Sequence, residues 1–88
     1  MRQASADLAR LAVGAGDHEL ASWAAAKGLS LWQLDEDLHW LALDAAALGP
    51  DRSALDLRWA KTVRAFASRD QAVPERLVEH YDDLRRGR

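Results

Sequence analysis

The chain contains no cysteine, which excludes both disulfide bonds and thiolate metal sites as sources of stability. β-Branched residues are also scarce, since there are four valines, one threonine and no isoleucine, and no segment alternates strictly between apolar and polar positions. These absences argue against β-strands. No apolar run approaches the length of a membrane span, and Asp7 and Arg10 stand where a signal peptide would be apolar. We therefore expect a cytoplasmic chain that does not itself associate with a membrane.

Length and charge limit the class of protein further. Eighty-eight residues, 49% of them apolar, suffice for one small globular domain spanning residues 1–88. The net charge of −2 is unevenly placed, since residues 1–50 carry −4 and residues 51–88 carry +2. A dedicated nucleic-acid surface is usually strongly basic. The charge balance therefore predicts that the chain does not bind nucleic acid directly.

A 33-residue echo runs through the first two-thirds of the chain. A break that contains glycine and aspartate stands in the middle of each unit, at 14–17 and again at 48–51. A period of this length with such a break is typical of helical-hairpin repeats of the tetratricopeptide type. Because one unit cannot bury its apolar face alone, such units stack and usually hold other proteins. The echo consists of Leu8, Ala9, Ala12, Gly16 and Ala21, which recur as Leu41, Ala42, Ala45, Gly49 and Ala54.

The spacing of apolar residues predicts five helices and no strand. Residues 5–28 form a first predicted hairpin, 35–67 a second, and 74–86 a closing helix. The short connections between them favour antiparallel packing of tetratricopeptide-like hairpins in an α-α superhelix. The predicted core stripes are Leu8, Leu11 and Ala12; Leu20, Trp23 and Ala24; Leu38, Leu41, Ala45 and Leu48; Leu55, Trp59, Val63 and Phe66; and Leu77, Val78, Tyr81 and Leu84.

Residues with known preferences at helix ends mark the predicted boundaries. Asp17 and Asp35 can cap the free backbone amides at the starts of the second and third helices. Gly28 is expected to end the second helix, and Pro50 disfavours helical geometry at the residue before it. Pro74 fits the first turn of the last helix, where its missing amide costs nothing.

Several short motifs follow one another at defined spacings. They are Ala24-Ala25-Ala26-Lys27-Gly28-Leu29, Leu34-Asp35-Glu36-Asp37-Leu38-His39, Ala45-Ala46-Ala47-Leu48-Gly49, Ser53-Ala54-Leu55, Pro74-Glu75 and His80-Tyr81-Asp82-Asp83-Leu84-Arg85. Their order resembles the bacterial transcriptional activator domain, the tetratricopeptide-like C-terminal module of actinobacterial antibiotic-regulatory activators. The resemblance covers most of the chain. It implies an all-α repeat fold and a regulatory role in transcription through contacts with protein.

The sequence departs from the family pattern in three respects. Trp32 and Gln33 stand where a proline often precedes the acidic pair, and the linker before the last helix is shorter than usual. The winged-helix DNA-binding domain that normally precedes the module has no counterpart in this sequence, so the family's DNA-contacting residues have no positions here. Some relatives end large membrane-anchored proteins instead. The resemblance alone therefore does not make the chain a transcription factor.

Motifs that carry chemistry are sparse. His18, His39 and His80 are far apart in sequence and lack the closely spaced partner ligands of a metal site. The acidic run at 35–37 fits helix capping and the helix dipole better than paired catalytic carboxylates. No serine or threonine stands in a nucleophile motif, and no glycine-rich phosphate loop is present. We expect a protein without catalytic residues, bound metal or cofactor.

Two sets of apolar residues are candidates for contact with a partner. Trp32 lies in the turn between the repeats and Trp40 lies off the apolar stripe of its helix, and partly exposed aromatic rings are favoured anchors at interfaces. Leu8, Leu11 and Val13 form the second set, because the resembling family usually has further helices that cover this hairpin. We expect a protein partner or a second copy, most simply in a two-fold homodimer.

The fourth helix carries a basic flank at Arg58, Lys61 and Arg64, which are candidates for phosphate contacts. Such a flank is more often solvated or paired with nearby acidic groups. The sequence therefore favours a non-catalytic interaction or self-association module of a transcriptional regulator. The alternative is a scaffold segment of a larger protein, such as one anchored in a membrane. A nucleic-acid binder acting through the fourth helix is a third hypothesis.

Overall fold

Five α-helices account for most of the chain. The structure is a computed structural model that describes residues 2–87, with side chains described from residue 4 onward. Within that range there is no strand, so the predicted all-α class with five helices is confirmed. The predicted domain of residues 1–88 includes Met1 and Arg88, which lie outside the described residues. The helices are α1 Arg2–Gly14, α2 His18–Leu31, α3 Glu36–Leu48, α4 Ser53–Ala67 and α5 Glu75–Arg85.

Three helices begin where the sequence predicts. The carboxylate of Asp17 accepts a hydrogen bond from the backbone N–H of Leu20 at 3.1 Å, and Asp35 accepts one from Leu38 at the same distance. These bonds satisfy amides that have no partner inside the helix. Pro74 stands directly before α5, where its missing N–H removes no helical hydrogen bond.

The α3 helix lies at the centre of the molecule and packs against each of the other four helices. The α1 and α2 helices also pack extensively against each other. The described chain is 18 Å across in its shortest dimension, which fits two layers of helices, each about 10 Å thick. Because α2 and α4 both pack on α3 but not closely on one another, a cleft opens between them.

Alanine fills the interface between α1, α2 and α3. The predicted stripes of α1 and α2 are wrong in this respect, because Leu8, Leu11, Leu20 and Trp23 lie exposed on the surface. Small side chains allow the three helix backbones to approach closely, and the larger side chains are left on the outer flanks. The buried alanines are Ala6, Ala9, Ala12, Ala21, Ala24, Ala25, Ala42 and Ala45.

Gly28 belongs to this close packing. The sequence predicts that it ends the second helix, and that prediction is wrong, since α2 continues through Gly28 to Leu31. A Cβ atom at this position would lie 2.7 Å from Cδ1 of Leu38 and 3.0 Å from Cβ of Ser5. A glycine is therefore suited to this position because α1 and α3 both approach α2 there.

Larger side chains fill the space between α3, α4 and α5. The Trp59 ring of α4 stacks on the Tyr81 ring of α5, with centroids 4.5 Å apart. Leu48, Val63 and Val78, which the sequence places in core stripes, are exposed instead, because they lie beyond the area that neighbouring helices cover. The fully packed members of this second core are Leu43, Leu55, Phe66 and Leu77.

A buried polar pair joins α3 to α4. The Nε2–H of His39 donates to the backbone carbonyl of Gln33 at 2.7 Å, and this leaves Nδ1 to accept a hydrogen bond from the hydroxyl of Thr62 at 3.0 Å. Both ring nitrogens are thus satisfied in the neutral imidazole. Burial lowers the pKa of His39, and the positive charge of Arg58 acts in the same direction. The fold therefore favours the uncharged form of this side chain.

Candidate interaction surfaces

Four exposed apolar side chains lie together on the outer side of the α1–α2 hairpin. Leu11 is 73% exposed and Trp23 is 55% exposed, and Leu8 and Leu20 are exposed to a smaller degree. Single exposed apolar residues are ordinary on protein surfaces. A contiguous group is different, because large exposed apolar patches are typical of interaction sites. We call Leu8, Leu11, Leu20 and Trp23 the open face.

The register of the hairpin brings the members of the open face to the same level. Ser5 of α1 lies opposite Gly28 of α2, and the two helices run antiparallel on either side of the turn at 15–17. This register places residues 8–11 level with residues 22–25, since both helices rise equally per residue, and Leu20 lies two residues further towards the turn. The leucines of α1 therefore stand beside Leu20 and Trp23.

The open face also points away from the rest of the fold. On α1, Arg10 and Val13 border a hollow next to α3 and α5, and the leucines of the open face occupy the opposite flank of the helix. On α2, His18 and Ser22 face α4, and Leu20 and the indole again occupy the other flank. Within the described residues, no helix covers this side of the hairpin.

Opposite charges stand at the two ends of the open face. Glu19 and Lys27 each lie four residues from Trp23, which is about one turn of α2 in each direction. The ammonium of Lys27 lies 5.9 Å from the centroid of the Trp23 ring, within the range of a cation–π contact. The face therefore has an apolar centre with one negative and one positive end.

The other residues predicted at a partner surface lie elsewhere. Leu8 and Leu11 are exposed, but Val13 and Trp32 are partly buried and pack against the alanine core. Trp40 is packed between α3 and α5. The sequence assigns Trp23 to the core, which is wrong, and this residue is the tryptophan that the fold leaves most open.

Trp40 is part of the contact that holds α5 on α3. The His80 ring stacks on it with centroids 3.6 Å apart, and the Arg76 guanidinium lies 5.0 Å from its centroid. The Nε2 atom of His80 also lies 2.7 Å from a carboxylate oxygen of Asp44. Burial raises the pKa of Asp44, and the neighbouring histidine acts against that rise. These side chains hold the two helices together.

The three basic residues predicted as phosphate contacts border two neighbouring hollows on α4. Arg58 is half-buried and, with Lys61, borders the cleft between α2 and α4. Arg64 stands outside the cleft, beside a shallow hollow on α4. Burial lowers the pKa of Arg58, but a guanidinium stays charged in proteins. Lys61 borders both the cleft and this hollow, so the structure separates Arg64 from Arg58 but not from Lys61.

The cleft between α2 and α4 has a volume of about 300 Å³. Its floor is a row of small side chains on α3, and one wall carries Leu57. At its mouth the His18 ring packs so closely on Gly49 that a Cβ there would lie 3.2 Å from Nδ1. The remaining lining residues include Ser22, Ala42, Ala45, Ala46, Pro50, Asp51, Ala54, Arg58 and Lys61. The cleft therefore combines an apolar floor with basic groups at its edge.

The small number of basic residues on α4, in a chain of net charge −2, leads to a prediction for nucleic acid. At about 150 mM salt, we expect no detectable binding of the chain to duplex DNA, because binding depends on several phosphates being neutralised together. Fluorescence anisotropy of a labelled duplex measures this directly. Submicromolar, salt-sensitive binding that disappears in an Arg58→Glu/Arg64→Glu variant would establish the fourth helix as a nucleic-acid surface and contradict the prediction.

Comparison with protein-family models, curated proteins and solved structures finds no match to this chain. Among residues 2–87, none of the helices has the length and apolar character needed to cross a membrane. In the same range, no three histidine or acidic side chains converge as metal ligands. The fold and its surfaces define a small all-α domain with one open apolar face and one basic cleft.

Proposed function

We propose that the chain is a non-catalytic interaction module that associates with a second copy of itself through the open face. The observation that carries this proposal is the exposure of Leu8, Leu11, Leu20 and Trp23, which the register of the hairpin places on one side. Removing apolar surface of this kind from water is the main driving force of protein association. Trp23 is the natural anchor, because tryptophan contributes more than most residues at interface centres.

The 33-residue echo supports the same proposal. Leu8 in the first unit corresponds to Leu41 in the second. Leu41 is buried in the alanine core, where it packs among residues of α1 and α2, whereas Leu8 is exposed. The surface that the second unit buries against the first is therefore open in the first unit itself. This arrangement fits stacked tetratricopeptide-like hairpins, in which each unit covers its neighbour.

The charges beside the open face favour a second copy as the occupant. If two α2 helices pack antiparallel with Trp23 on the two-fold axis, each Glu19 meets the partner's Lys27. The same axis serves both contacts, because Trp23 lies midway between the two charges. A two-fold interface must be complementary to itself. The residues already present on α2 meet that condition in this arrangement.

A regulatory role in transcription follows from the family resemblance. We propose that the module acts in the cytoplasm within a transcriptional activator, where self-association would bring two activator chains together. The geometry of this chain supports self-association. The transcriptional setting depends on the resemblance and is tested separately by reading the coding sequence that surrounds this segment.

Sedimentation equilibrium over a concentration series tests the association. We expect a reversible monomer–dimer equilibrium with a dissociation constant between about 10 µM and 1 mM, as for a small transient interface. Trp23→Glu should weaken it at least about tenfold, because a carboxylate would then be buried at the centre of the interface. Leu48→Glu is the matched control, since Leu48 is similarly exposed but lies on α3. A strict monomer at millimolar concentration would exclude self-association.

A charge exchange tests the two-fold arrangement. Glu19→Lys and Lys27→Glu should each weaken the dimer about three- to tenfold, because each places like charges opposite one another twice per dimer. The double variant Glu19→Lys/Lys27→Glu restores both pairs and should recover most of the affinity. If the double variant loses as much dimerisation free energy as the two single variants together, the helices do not pair in this register.

A further inference from the structure

We infer that the cleft between α2 and α4 is a binding site for a small organic monocarboxylate, with the carboxylate at Arg58 and an apolar body on the alanine floor. This site lies on the side of α2 opposite the open face. It can therefore exist whether or not the chain associates with itself.

Arg58 is the group that would receive the carboxylate. It is half-buried, and burial lowers its pKa, so the fold holds a guanidinium partly out of water. Among the described residues it makes no hydrogen bond or ion pair, whereas Arg76 and Arg85 pair with acidic side chains and Arg69 bonds to Gln33. A guanidinium offers a fork of donors that matches the two oxygens of a carboxylate. An unpaired, half-buried guanidinium at the edge of a cavity is thus prepared for an anion.

The charges around the cleft favour an anion with a single negative charge. Arg58 and Lys61 contribute two positive charges, and Asp51 at the rim contributes one negative charge. The Asp51 carboxylate accepts hydrogen bonds from the backbone N–H and the hydroxyl of Ser53, and these bonds lower its pKa. It therefore remains ionised and leaves one net positive charge. A monocarboxylate neutralises that charge, while a dianionic phosphate would exceed it.

The rest of the lining favours an apolar body on the ligand. Ala42, Ala45 and Ala46 form a floor without polar side-chain atoms, and Leu57 closes one side. The volume of about 300 Å³ is at the lower end for small-molecule sites, which are typically apolar with a few polar groups that fix orientation. A compact aromatic or branched aliphatic acid fits both the size and the lining.

Phenylacetate is a suitable probe, and phenylacetamide is its uncharged counterpart. In ¹H–¹⁵N spectra we expect phenylacetate to shift the amides around Ala45, Leu57 and Arg58 saturably, with a dissociation constant of about 0.1–10 mM for so small a ligand. Phenylacetamide should bind at least about tenfold more weakly, because it lacks the charge-assisted contact. Inorganic phosphate should also bind more weakly than phenylacetate.

The matched variants are Arg58→Gln and Arg64→Gln, which remove the same charge from the same helix inside and outside the cleft. We expect Arg58→Gln to weaken phenylacetate at least about tenfold and Arg64→Gln to change it less than about twofold. The uncharged probe gives the same test in the unaltered protein, so the result does not depend on the folding of a variant. Equal binding of acid and amide, tighter binding of phosphate, or no saturable shift would each overturn the assignment.

Discussion

Leu38→Ala should lower the free energy of unfolding by about 2–5 kcal/mol, the range for removing a large side chain from a packed core. Leu38 has no exposed surface and lies among residues of α1, α2 and α3. For a domain of this size, whose total stability is on the order of 5–15 kcal/mol, that loss is a large fraction. Urea denaturation followed by far-ultraviolet circular dichroism measures it.

Leu31→Ala is the matched control for this change. Leu31 is 71% exposed, so the same deletion there should cost less than about 0.5 kcal/mol. A loss at Leu38 no larger than the loss at Leu31 would mean that the α1–α2–α3 packing is not the core of the protein.

The contact between Leu38 and Gly28 allows a sharper form of the same test. An added Cβ at Gly28 would lie 2.7 Å from Cδ1 of Leu38, so in the native protein Gly28→Ala forces the leucine to move. In the Leu38→Ala background the contact with the leucine is gone and only Cβ of Ser5, at 3.0 Å, remains close. Alanine favours a helix over glycine by about 0.5–1 kcal/mol. We therefore expect Gly28→Ala to be more favourable in the variant than in the native protein. Equal effects in both would show that the two residues are not in contact.

Acidification from pH 7 towards pH 5 should destabilise the protein through His39. Because burial lowers the pKa of His39, the unfolded chain binds a proton at a higher pH than the folded one. The contribution of His39 to the free energy of unfolding is therefore fully present above the unfolded-state pKa. It is lost as the pH falls towards the folded-state pKa. Its slope is at most about 1.4 kcal/mol per pH unit, the limit for one proton.

His39→Leu separates this contribution from that of the other histidines. The variant should be less stable at pH 7, because Thr62 and the carbonyl of Gln33 lose their partner, but its stability should fall less steeply between pH 7 and pH 5. Asp44 acts with the opposite sign at lower pH, since its pKa is raised by burial, and measurement above about pH 5 limits its influence. Parallel pH profiles for the two proteins would contradict the prediction.

Local signals in the sequence predicted the elements of this fold well. Asp17, Asp35 and Pro74 identify helix starts because capping depends on residues that are neighbours in sequence. The predicted helix end at Gly28 is wrong. A glycine that ends a helix and a glycine that allows a neighbouring helix to pack closely cannot be distinguished in the sequence. Only the position of Leu38 across the interface tells them apart.

The surfaces were harder to predict than the elements. The sequence assigns Trp23 to the core and Trp40 to a surface, and the structure has the reverse. The pattern of one helix does not show how many of its sides the neighbouring helices cover. The α3 helix is covered on several sides, so Trp40 off its main stripe is still packed, while α1 and α2 bury alanines and leave larger residues outside. The spacing of Leu20, Trp23 and Leu31 along one flank of α2 was the available sign of a second apolar side. The cleft had no comparable sign, since it joins residues of three helices.

One core is packed with alanines and the other with larger side chains. The two halves of the chain should therefore tolerate different kinds of substitution. In the alanine half the backbones are close, so exchange for a bulkier residue at Ala9 or Ala24 is the change that selection would remove. In the half that holds Phe66 and Leu77, truncation is the harmful change, because it leaves a void. A lineage of such chains would therefore keep small residues along α1 and α2 and large ones along α4 and α5, whatever else in the sequence changed.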